Sequence, residues 1–259
     1  MPLLKWIYLF QNSSQSRTRY LTSMISYLIS QLVRLGGVMI IWYVTLRNSA
    51  NIDFKEIFTY YLLGEIFIVQ LSHHSLIEGE IVSGKLANRL LRPANLWLSY
   101  WIDYIGRYFV VDTIKVLIGI IVGIIGFQFL VMPASILYFV FFLISSIIAY
   151  LINLYIGYII GFCSFYFGYI FGVAELVTQV KTIISGQMLP LNYLPFAAIL
   201  QNLPFALTFF IPLQIYLGKI SYQESIISIL TGVFWVIILF IIAKVIYTKG
   251  LQKFEATGL

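Results

Sequence analysis

The most constraining feature of this sequence is a run of 59 residues, between Lys115 and Glu175, that contains no Asp, Glu, Lys or Arg. A soluble domain of that length would carry solvated charges on its surface. One crossing of a bilayer needs about 20 apolar residues, so the run has room for two crossings and a turn. The run therefore predicts a polytopic membrane protein.

The composition of the whole chain agrees with a membrane protein. Hydrophobic residues make up 61% of the 259 positions and charged residues only 10%, against about 25% charged residues in a typical soluble domain. Cys163 is the single cysteine, which excludes an internal disulfide and a multi-cysteine metal site. Residues 11–20 are polar and basic, which is a poor match to a signal peptide. We expect one all-α transmembrane domain over residues 1–259.

Hydropathy predicts six transmembrane helices, over residues 20–46, 57–71, 110–130, 135–156, 164–185 and 225–247. Lys and Arg are concentrated near one set of helix ends. That set consists of Lys5, Arg17, Arg19, Lys85, Arg89, Arg92, Arg107, Lys244, Lys249 and Lys253, and the opposite set of Arg47, Lys55 and Lys219. The positive-inside rule then predicts that both termini, residues 1–19 and 248–259, are cytoplasmic. The net charge of +6 is assigned to that face, and no nucleic-acid partner is expected.

Residues 186–223 are apolar but are interrupted by prolines. Pro190, Pro195, Pro204 and Pro212 exclude one straight helix across this stretch. One interpretation is a set of short, broken helices that re-enter the outer leaflet, covered by protein or lining a wet cavity. The other is an extracellular loop that lies flat on the headgroups.

Residues 75–100 form the most informative polar stretch, and we expect them on the cytoplasmic side. On one continuous helix, an apolar stripe would consist of Gly79, Val82, Leu86, Leu90 and Pro93. A charged stripe would consist of Glu78, Lys85, Arg89 and Arg92. This pattern predicts a short amphipathic helix that ends at Pro93. Such a helix could simply anchor the protein beside anionic lipid.

The same stretch contains a false phosphate-binding motif. Residues 79–85 read GEIVSGK, which satisfies GxxxxGK, but Leu86 follows where a Ser or Thr would hold magnesium. The preceding residues end a predicted transmembrane helix rather than a buried strand. We therefore expect no nucleotide site in this chain.

Four segments resemble type-2 ABC exporter permeases. They are FTYYL (58–62), IEGEIVSGKLANRLLRP (77–93), SGQMLPLNYLP (185–195) and YTKGLQKFEATG (247–258). The similarity covers nearly the whole chain, in order, with a layout of six transmembrane helices. It implies the membrane half of an ATP-driven transporter in a bacterial-type plasma membrane.

In that family, a cytoplasmic helix after the second transmembrane helix docks on a separate ATPase. The resemblance assigns the ATPase-facing role to Glu78, Gly79, Glu80, Lys85, Arg89, Arg92 and Pro93. It assigns packing on the bundle to Val82, Leu86 and Leu90. It also implies two ATPase subunits, which bind ATP and Mg²⁺, and a second permease, identical or related. The chain itself would hold no cofactor and would not be an enzyme.

Ionisable residues inside predicted transmembrane helices are candidates for a functional role, because each is costly in lipid unless it is paired or wet. Arg34 and Glu65 lie near the middle of the first two helices and could meet, either as a structural pair or in a substrate or gating role. Glu175 and Lys181 are six residues apart in the fifth helix, on different faces, and are poor partners for each other.

We expect structural roles for two further groups of polar residues. Asp112 and Lys115 are three residues apart at the inner end of the third predicted helix and can pair. His73 and His74 are adjacent and so point to different sides of a helix, so we expect no metal site there.

Three classes of protein remain open at this point. The first is a permease of an ATP-driven exporter, with an amphipathic cargo such as a lipid, peptide or drug. The second is a secondary transporter, although that class favours broken helices in both halves of the chain. The third is a membrane-embedded enzyme, but the sequence contains no HExxH or GxSxG motif.

Overall fold

A computed structural model describes residues 2–18, 21–46, 53–67, 74–92 and 94–254. Within these ranges the chain is helical, with short 3₁₀ turns and no strand. The α-helices are α1 Pro2–Thr18, α2 Leu21–Leu46, α3 Phe54–Phe67, α4 His74–Val82, α5 Leu86–Leu90, α6 Leu96–Ile125, α7 Ile136–Phe162, α8 Ser164–Phe167, α9 Phe171–Ile184, α10 Ala197–Leu200, α11 Phe210–Tyr216 and α12 Tyr222–Leu251. The 3₁₀ turns are Phe127–Phe129, Leu191–Tyr193 and Ala206–Thr208.

The three longest helices, α6, α7 and α12, each begin at a side-chain cap. Asn95 and Ser135 accept hydrogen bonds from backbone N–H groups in the first turns of α6 and α7. Ser221 and Glu224 form a reciprocal capping box at the start of α12. Each cap satisfies N–H groups that the helix itself leaves without acceptors, which fixes where the helix starts.

Helices α7 and α12 form the axis of the bundle and run parallel. Ring contacts join them along their length, from Tyr138 against Tyr222 at one end to Phe162 against Tyr247 at the other. Gly232 of α12 lies against Ile148 of α7, where an added Cβ would collide. Small residues at such contacts let helices approach closely in lipid.

Two hydrophobic clusters lie at the two ends of this axis. One, which we call the α11 end, is centred on Tyr60, Phe142, Leu191 and Leu213. The other, the α4–α5 end, is centred on Ile77, Leu86, Tyr158 and Phe162. These clusters position the polar groups discussed below.

Two helices of the described ranges are long and apolar enough to cross a membrane by themselves. They are the continuous stretch 136–167 and α12. Helix α6 would be a third if its two arms, Leu96–Phe109 and Asp112–Ile125, form one crossing with a 49° bend. Residues Leu32–Val44 of α2 form a shorter apolar helix. Six crossings remain a prediction.

The structure differs from the predicted helix boundaries at several places. Helix α6 begins 14 residues before the predicted third helix, because Asn95 caps it well outside the apolar run. The predicted fifth helix is broken into α8 and α9 at Gly168, which has a φ of +68°. The amino-terminal segment contains α1, which packs on α6. Residues 68–71, the end of the predicted second helix, lie outside the described residues.

The proline-interrupted region does consist of short helices. Residues 186–221 contain α10, α11 and two 3₁₀ turns, so one straight helix is excluded as predicted. Hydroxyl groups of α3 hold the start of this region, because Tyr60 Oη donates to the Gly186 carbonyl (2.7 Å) and Tyr61 Oη to the Met188 carbonyl (3.0 Å).

Candidate functional site

The segment predicted to couple to a partner is two helices rather than one. Helix α4 ends at Val82, and α5 restarts at Leu86 after a turn in which Gly84 has a φ of +74°. Such a φ is strained for any residue with a Cβ, so glycine permits the turn. The turn resets the helical register. Leu86 is fully buried as predicted, Val82 is half-buried, and Leu90 is 39% exposed rather than packed on the bundle.

Arg89 was expected to face a partner, but its side chain points into the protein. Its guanidinium forms a bidentate pair with Glu80 (2.6 and 2.7 Å) and a second ion pair with Asp103 (2.5 Å). It also donates to Ser99 Oγ (3.1 Å) and lies 4.4 Å from the Tyr100 ring centroid. The Arg89 side chain is only 10% exposed.

These contacts tie four helices together at the α4–α5 end. Tyr100 Oη donates to Glu80 (2.9 Å), and Ser13 Oγ of α1 donates to Asp103 (2.5 Å). We call these residues the Arg89 cluster; its members are Ser13, Glu80, Arg89, Ser99, Tyr100 and Asp103. Glu80 therefore faces inward as well, contrary to the sequence-based assignment, because its carboxylate neutralises a buried guanidinium.

The electrostatics of the Arg89 cluster favour a permanently charged arginine. Burial by itself would lower the pKa of Arg89. The hydrogen bonds and charges of Glu80 and Asp103 outweigh burial and raise the pKa above its usual value. One cation faces two carboxylates, so the removal of Arg89 would leave both carboxylates without their counter-charge.

Glu78 was also expected to face a partner, and it is 7% exposed. Its carboxylate accepts a hydrogen bond from the Ile170 N–H (2.9 Å), the residue immediately before α9. A carboxylate at a helix amino terminus satisfies an N–H group and favours the helix dipole. Glu78 thus connects α4 to α9.

The remaining predicted residues of this segment are on the surface. Gly79, Lys85 and Arg92 are exposed, and Pro93 lies outside the described residues. Two exposed neighbours, Asn88 and Leu91, belong to neither predicted stripe, and Leu91 is 82% exposed. No sequence pattern marks Leu91 as exposed, because a helix with a wide apolar face can bury two adjacent leucines. The exposed surface of α4–α5 is therefore a mixture of cations and apolar side chains.

The predicted Arg34–Glu65 pair is present in the structure. The two side chains form an ion pair between α2 and α3, and Lys115 Nζ of α6 lies 3.7 Å from the other oxygen of Glu65. Lys115 was expected to pair with Asp112 on its own helix, but its ion pair is with Glu65. Glu65 is therefore bracketed by two cations from two helices.

Glu175 and Lys181 do not meet, as their spacing predicted. Glu175 is exposed and accepts a hydrogen bond from Gln179 Nε2 (2.7 Å). Lys181 is half-buried and forms no ion pair with a described residue. His74 is half-buried, and His73 lies outside the described residues. The ranges that the structure covers contain no group of three His, Cys, Asp or Glu residues placed to hold a metal.

The α11 end contains a polar cavity that sequence reasoning missed. Its volume is about 210 Å³. We call it the α11-end cavity and define it by Glu56, Tyr60, Asn192, Tyr193, Gln214 and Lys219. Lys219 Nζ and Glu56 form an ion pair (2.5 Å) at its partly exposed rim. These residues come from α3, from the proline-interrupted region and from the turn after α11, so no local sequence pattern marks them.

An apolar groove of about 450 Å³ lies on the other side of the same proline-interrupted region. Val38, Ile41 and Trp42 of α2 form one wall, and Ile183, Met188, Leu189 and Leu194 form the other. Trp42 Nε1 donates to Tyr61 Oη (3.2 Å), which fixes the indole at the edge of the groove.

One family model matches this chain over residues 32–258, and its description is "ABC-2 family transporter protein". No curated protein matches the chain. The matched range covers most of the chain and includes both helices that are long enough to cross a bilayer. The chain is thus a multi-pass membrane protein and a transport component that is not itself catalytic. It belongs to the ABC-2 family of transporter proteins.

Proposed function

We propose that this chain is the permease subunit of an ATP-driven exporter and that α4–α5 is its docking segment for a separate ATPase. The family match supports a transport role. The observation that carries the docking role is the contrast within α4–α5. Its inner side is tied to α1, α6 and α9 through the Arg89 cluster and Glu78, and its outer side exposes Lys85, Asn88, Leu91 and Arg92.

A docking segment must pass displacement on rather than absorb it. Three charge-assisted hydrogen bonds join this segment to its neighbours, at Tyr100 and Asp103 of α6 and at Ile170 before α9, so the segment would move together with α6 and α9. Leu91 provides an apolar contact for an ATPase, and the neighbouring cations form a polar rim around it. Protein interfaces usually have this composition.

The same proposal includes the assembly and the topology. Two ATPase subunits would bind ATP and Mg²⁺, and a second permease, identical or related, would complete the pathway. Both termini and α4–α5 would lie in the cytoplasm of a bacterial-type plasma membrane, in line with the excess of Lys and Arg at that end. The cargo would be amphipathic, such as a lipid, peptide or drug, because the groove beside Trp42 is wide and apolar.

Acidic substitutions on the exposed side of α4–α5 test the docking role. Lys85→Glu combined with Leu91→Asp should abolish co-purification of the ATPase and its stimulated hydrolysis, while the melting temperature of the permease stays unchanged. The matched control is Lys55→Glu, which changes an exposed lysine in the first turn of α3. Normal stimulated hydrolysis in the Lys85 and Leu91 double variant would contradict the proposal.

Cysteine labelling tests the topology. In a Cys163→Ala background, Asn88→Cys should react with a membrane-impermeant maleimide only after the cells are opened. Labelling of that cysteine from outside intact cells would put α4–α5 on the wrong side for an ATPase and would refute the proposed coupling.

A further inference from the structure

The α11-end cavity is lined by a side-chain amide, that of Gln214, which has no hydrogen-bond partner among the described residues. Gln214 is 7% exposed, and its side chain forms no hydrogen bond with another described residue. Its backbone carbonyl is used, since it accepts from the Lys219 N–H (3.0 Å). Most polar side chains buried to this degree have a partner in the protein, whereas the Gln214 amide atoms are not sealed off and are reached from the cavity. Gln214 therefore offers two donors and an acceptor to whatever occupies the cavity.

The other polar groups of the cavity are positioned by contacts outside it. The Tyr60 hydroxyl donates to Gly186, which leaves its oxygen able to accept one more hydrogen bond. Asn192 accepts from Gln201 Nε2 (3.3 Å), which orients its amide. The Tyr193 ring lies 5.4 Å from the Trp42 ring, so this aromatic wall is supported from behind. These constraints suit a preformed site rather than a loose surface depression.

The charge and the size of the cavity limit its ligand. Its one cation and one anion, Lys219 and Glu56, already neutralise each other at the rim. An ion placed inside would lack a counter-charge and would lose its hydration, which is unfavourable. A volume of about 210 Å³ is below that of pockets for drug-sized ligands, which start at about 300 Å³. The ligand is then a single small group that both donates and accepts hydrogen bonds.

We infer that the α11-end cavity binds an uncharged, hydroxyl-rich group of the size of one sugar ring, with the Gln214 amide as its central hydrogen-bond partner. Hydroxyl groups can donate to the Gln214 and Asn192 carbonyl oxygens and accept from their NH₂ groups. The Tyr193 ring supplies the apolar contact that the C–H face of such a ring needs. That this group is the head of a transported cargo rests on the proposed function, whereas the binding itself does not.

The test uses the full chain in lipid nanodiscs without any ATPase, and methyl β-D-glucoside as the probe. Saturation-transfer NMR should report saturable binding with a dissociation constant on the order of 1–10 mM. Gln214→Met keeps the length of the side chain but removes its hydrogen bonds, and it should weaken binding at least about tenfold. The matched control, Gln223→Met, changes an exposed glutamine at the start of α12 and should bind like the unsubstituted protein.

The melting temperature separates a binding role from a structural one. Because the Gln214 side chain has no hydrogen-bond partner in the part of the chain that the structure describes, Gln214→Met should keep or raise the melting temperature while it loses the glucoside. A second variant, Asn192→Ala, changes an exposed residue and should weaken binding severalfold without affecting the fold.

Several results would overturn the inference. No saturable binding would mean that water alone fills the cavity. Equal affinity in Gln214→Met, or a lower melting temperature, would remove Gln214 from the site. Binding of phosphocholine in place of the glucoside would indicate a charged ligand class. Lys85→Glu should leave glucoside binding intact, so a failure of the ATPase proposal and a failure of this inference are distinguishable.

Discussion

The α4–α5 end and the α11 end of this protein use buried polar groups differently. In the Arg89 cluster, one guanidinium is shared by Glu80 and Asp103, and further hydroxyl groups complete the network. At the α11 end, Gln214 is buried just as deeply, but its amide faces a cavity and forms no hydrogen bond with any residue in the described ranges. A saturated network makes an end rigid, whereas an unsaturated one leaves hydrogen-bonding capacity for a ligand. The comparison suggests that the α4–α5 end transmits motion and that the α11 end binds a ligand.

The largest effect is expected from Arg89. Arg89→Met removes the cation that faces two buried carboxylates and should lower the free energy of unfolding by about 3–5 kcal/mol. The measurement is the melting temperature of the detergent-solubilised protein. Arg92→Met is the matched control: it changes an exposed arginine three residues away and should cost less than about 0.5 kcal/mol. Equal effects of the two substitutions would mean that the α4–α5 end is not held by the Arg89 cluster.

The next largest effect should come from Glu65. Glu65→Gln leaves Arg34 and Lys115 without their shared carboxylate and should cost about 2.5–3.5 kcal/mol of stability, the cost that insertion scales assign to a charge at the centre of a membrane helix. Arg34→Gln should cost less, because Lys115 remains beside Glu65. Thermal unfolding in nanodiscs compares the two variants. A greater loss in Arg34→Gln would show that Lys115 does not support Glu65.

At the α11 end, the hydroxyl of Tyr60 tests how firmly the proline-interrupted region is held. Tyr60→Phe deprives the Gly186 carbonyl of its donor at 2.7 Å and should cost about 1–3 kcal/mol. The control is Tyr222→Phe, which changes a partly exposed tyrosine at the start of α12. If thermal unfolding finds no difference between these variants, the region does not depend on α3 for its position.

The smallest effect concerns the link between α4 and α9. Glu78→Gln keeps an acceptor for the Ile170 N–H but removes the negative charge at the start of α9, so the expected loss is about 0.5–1 kcal/mol. Hydrogen exchange of the first turn of α9 is the sensitive measurement. Glu175→Gln, at an exposed position on the same helix, should leave that exchange unchanged.

The sequence predicted the helices whose apolar runs end at polar or charged residues. Helices α2 and α12 lie close to the predicted ranges. Helix α7 starts where predicted but passes the predicted end at 156 and continues through α8 to residue 167, because no charged residue marks the expected turn. Helix α6 was predicted to start too late because hydropathy detects lipid rather than helix. Its first turns carry Ser99, Asp103 and Arg107, which are helical but polar. The break at Gly168 was missed because an apolar run with a single glycine has the same hydropathy as an unbroken helix.

The candidate site was predicted less completely. The Arg34–Glu65 pair followed from matched depth on antiparallel helices, which is a property of the sequence pattern. The inward orientation of Arg89 did not, because a turn at Gly84 reset the register and because Asp103, its second partner, lies on another helix. The α11-end cavity beside Gln214 depends on which side chains do not contact one another, and only the three-dimensional structure contains that information.

The close fit of α7 and α12 has a consequence for how the protein can move. With Gly232 seated on Ile148 and aromatic rings interlocked toward both termini of the pair, neither helix can slide or roll without colliding with the other. Helices α7 and α12 would therefore move as one rigid unit. A displacement of α4 would reach this pair directly, because Ile77 of α4 packs against Gly161 of α7, and it would reach the bent α6 through Arg89 and α9 through Glu78.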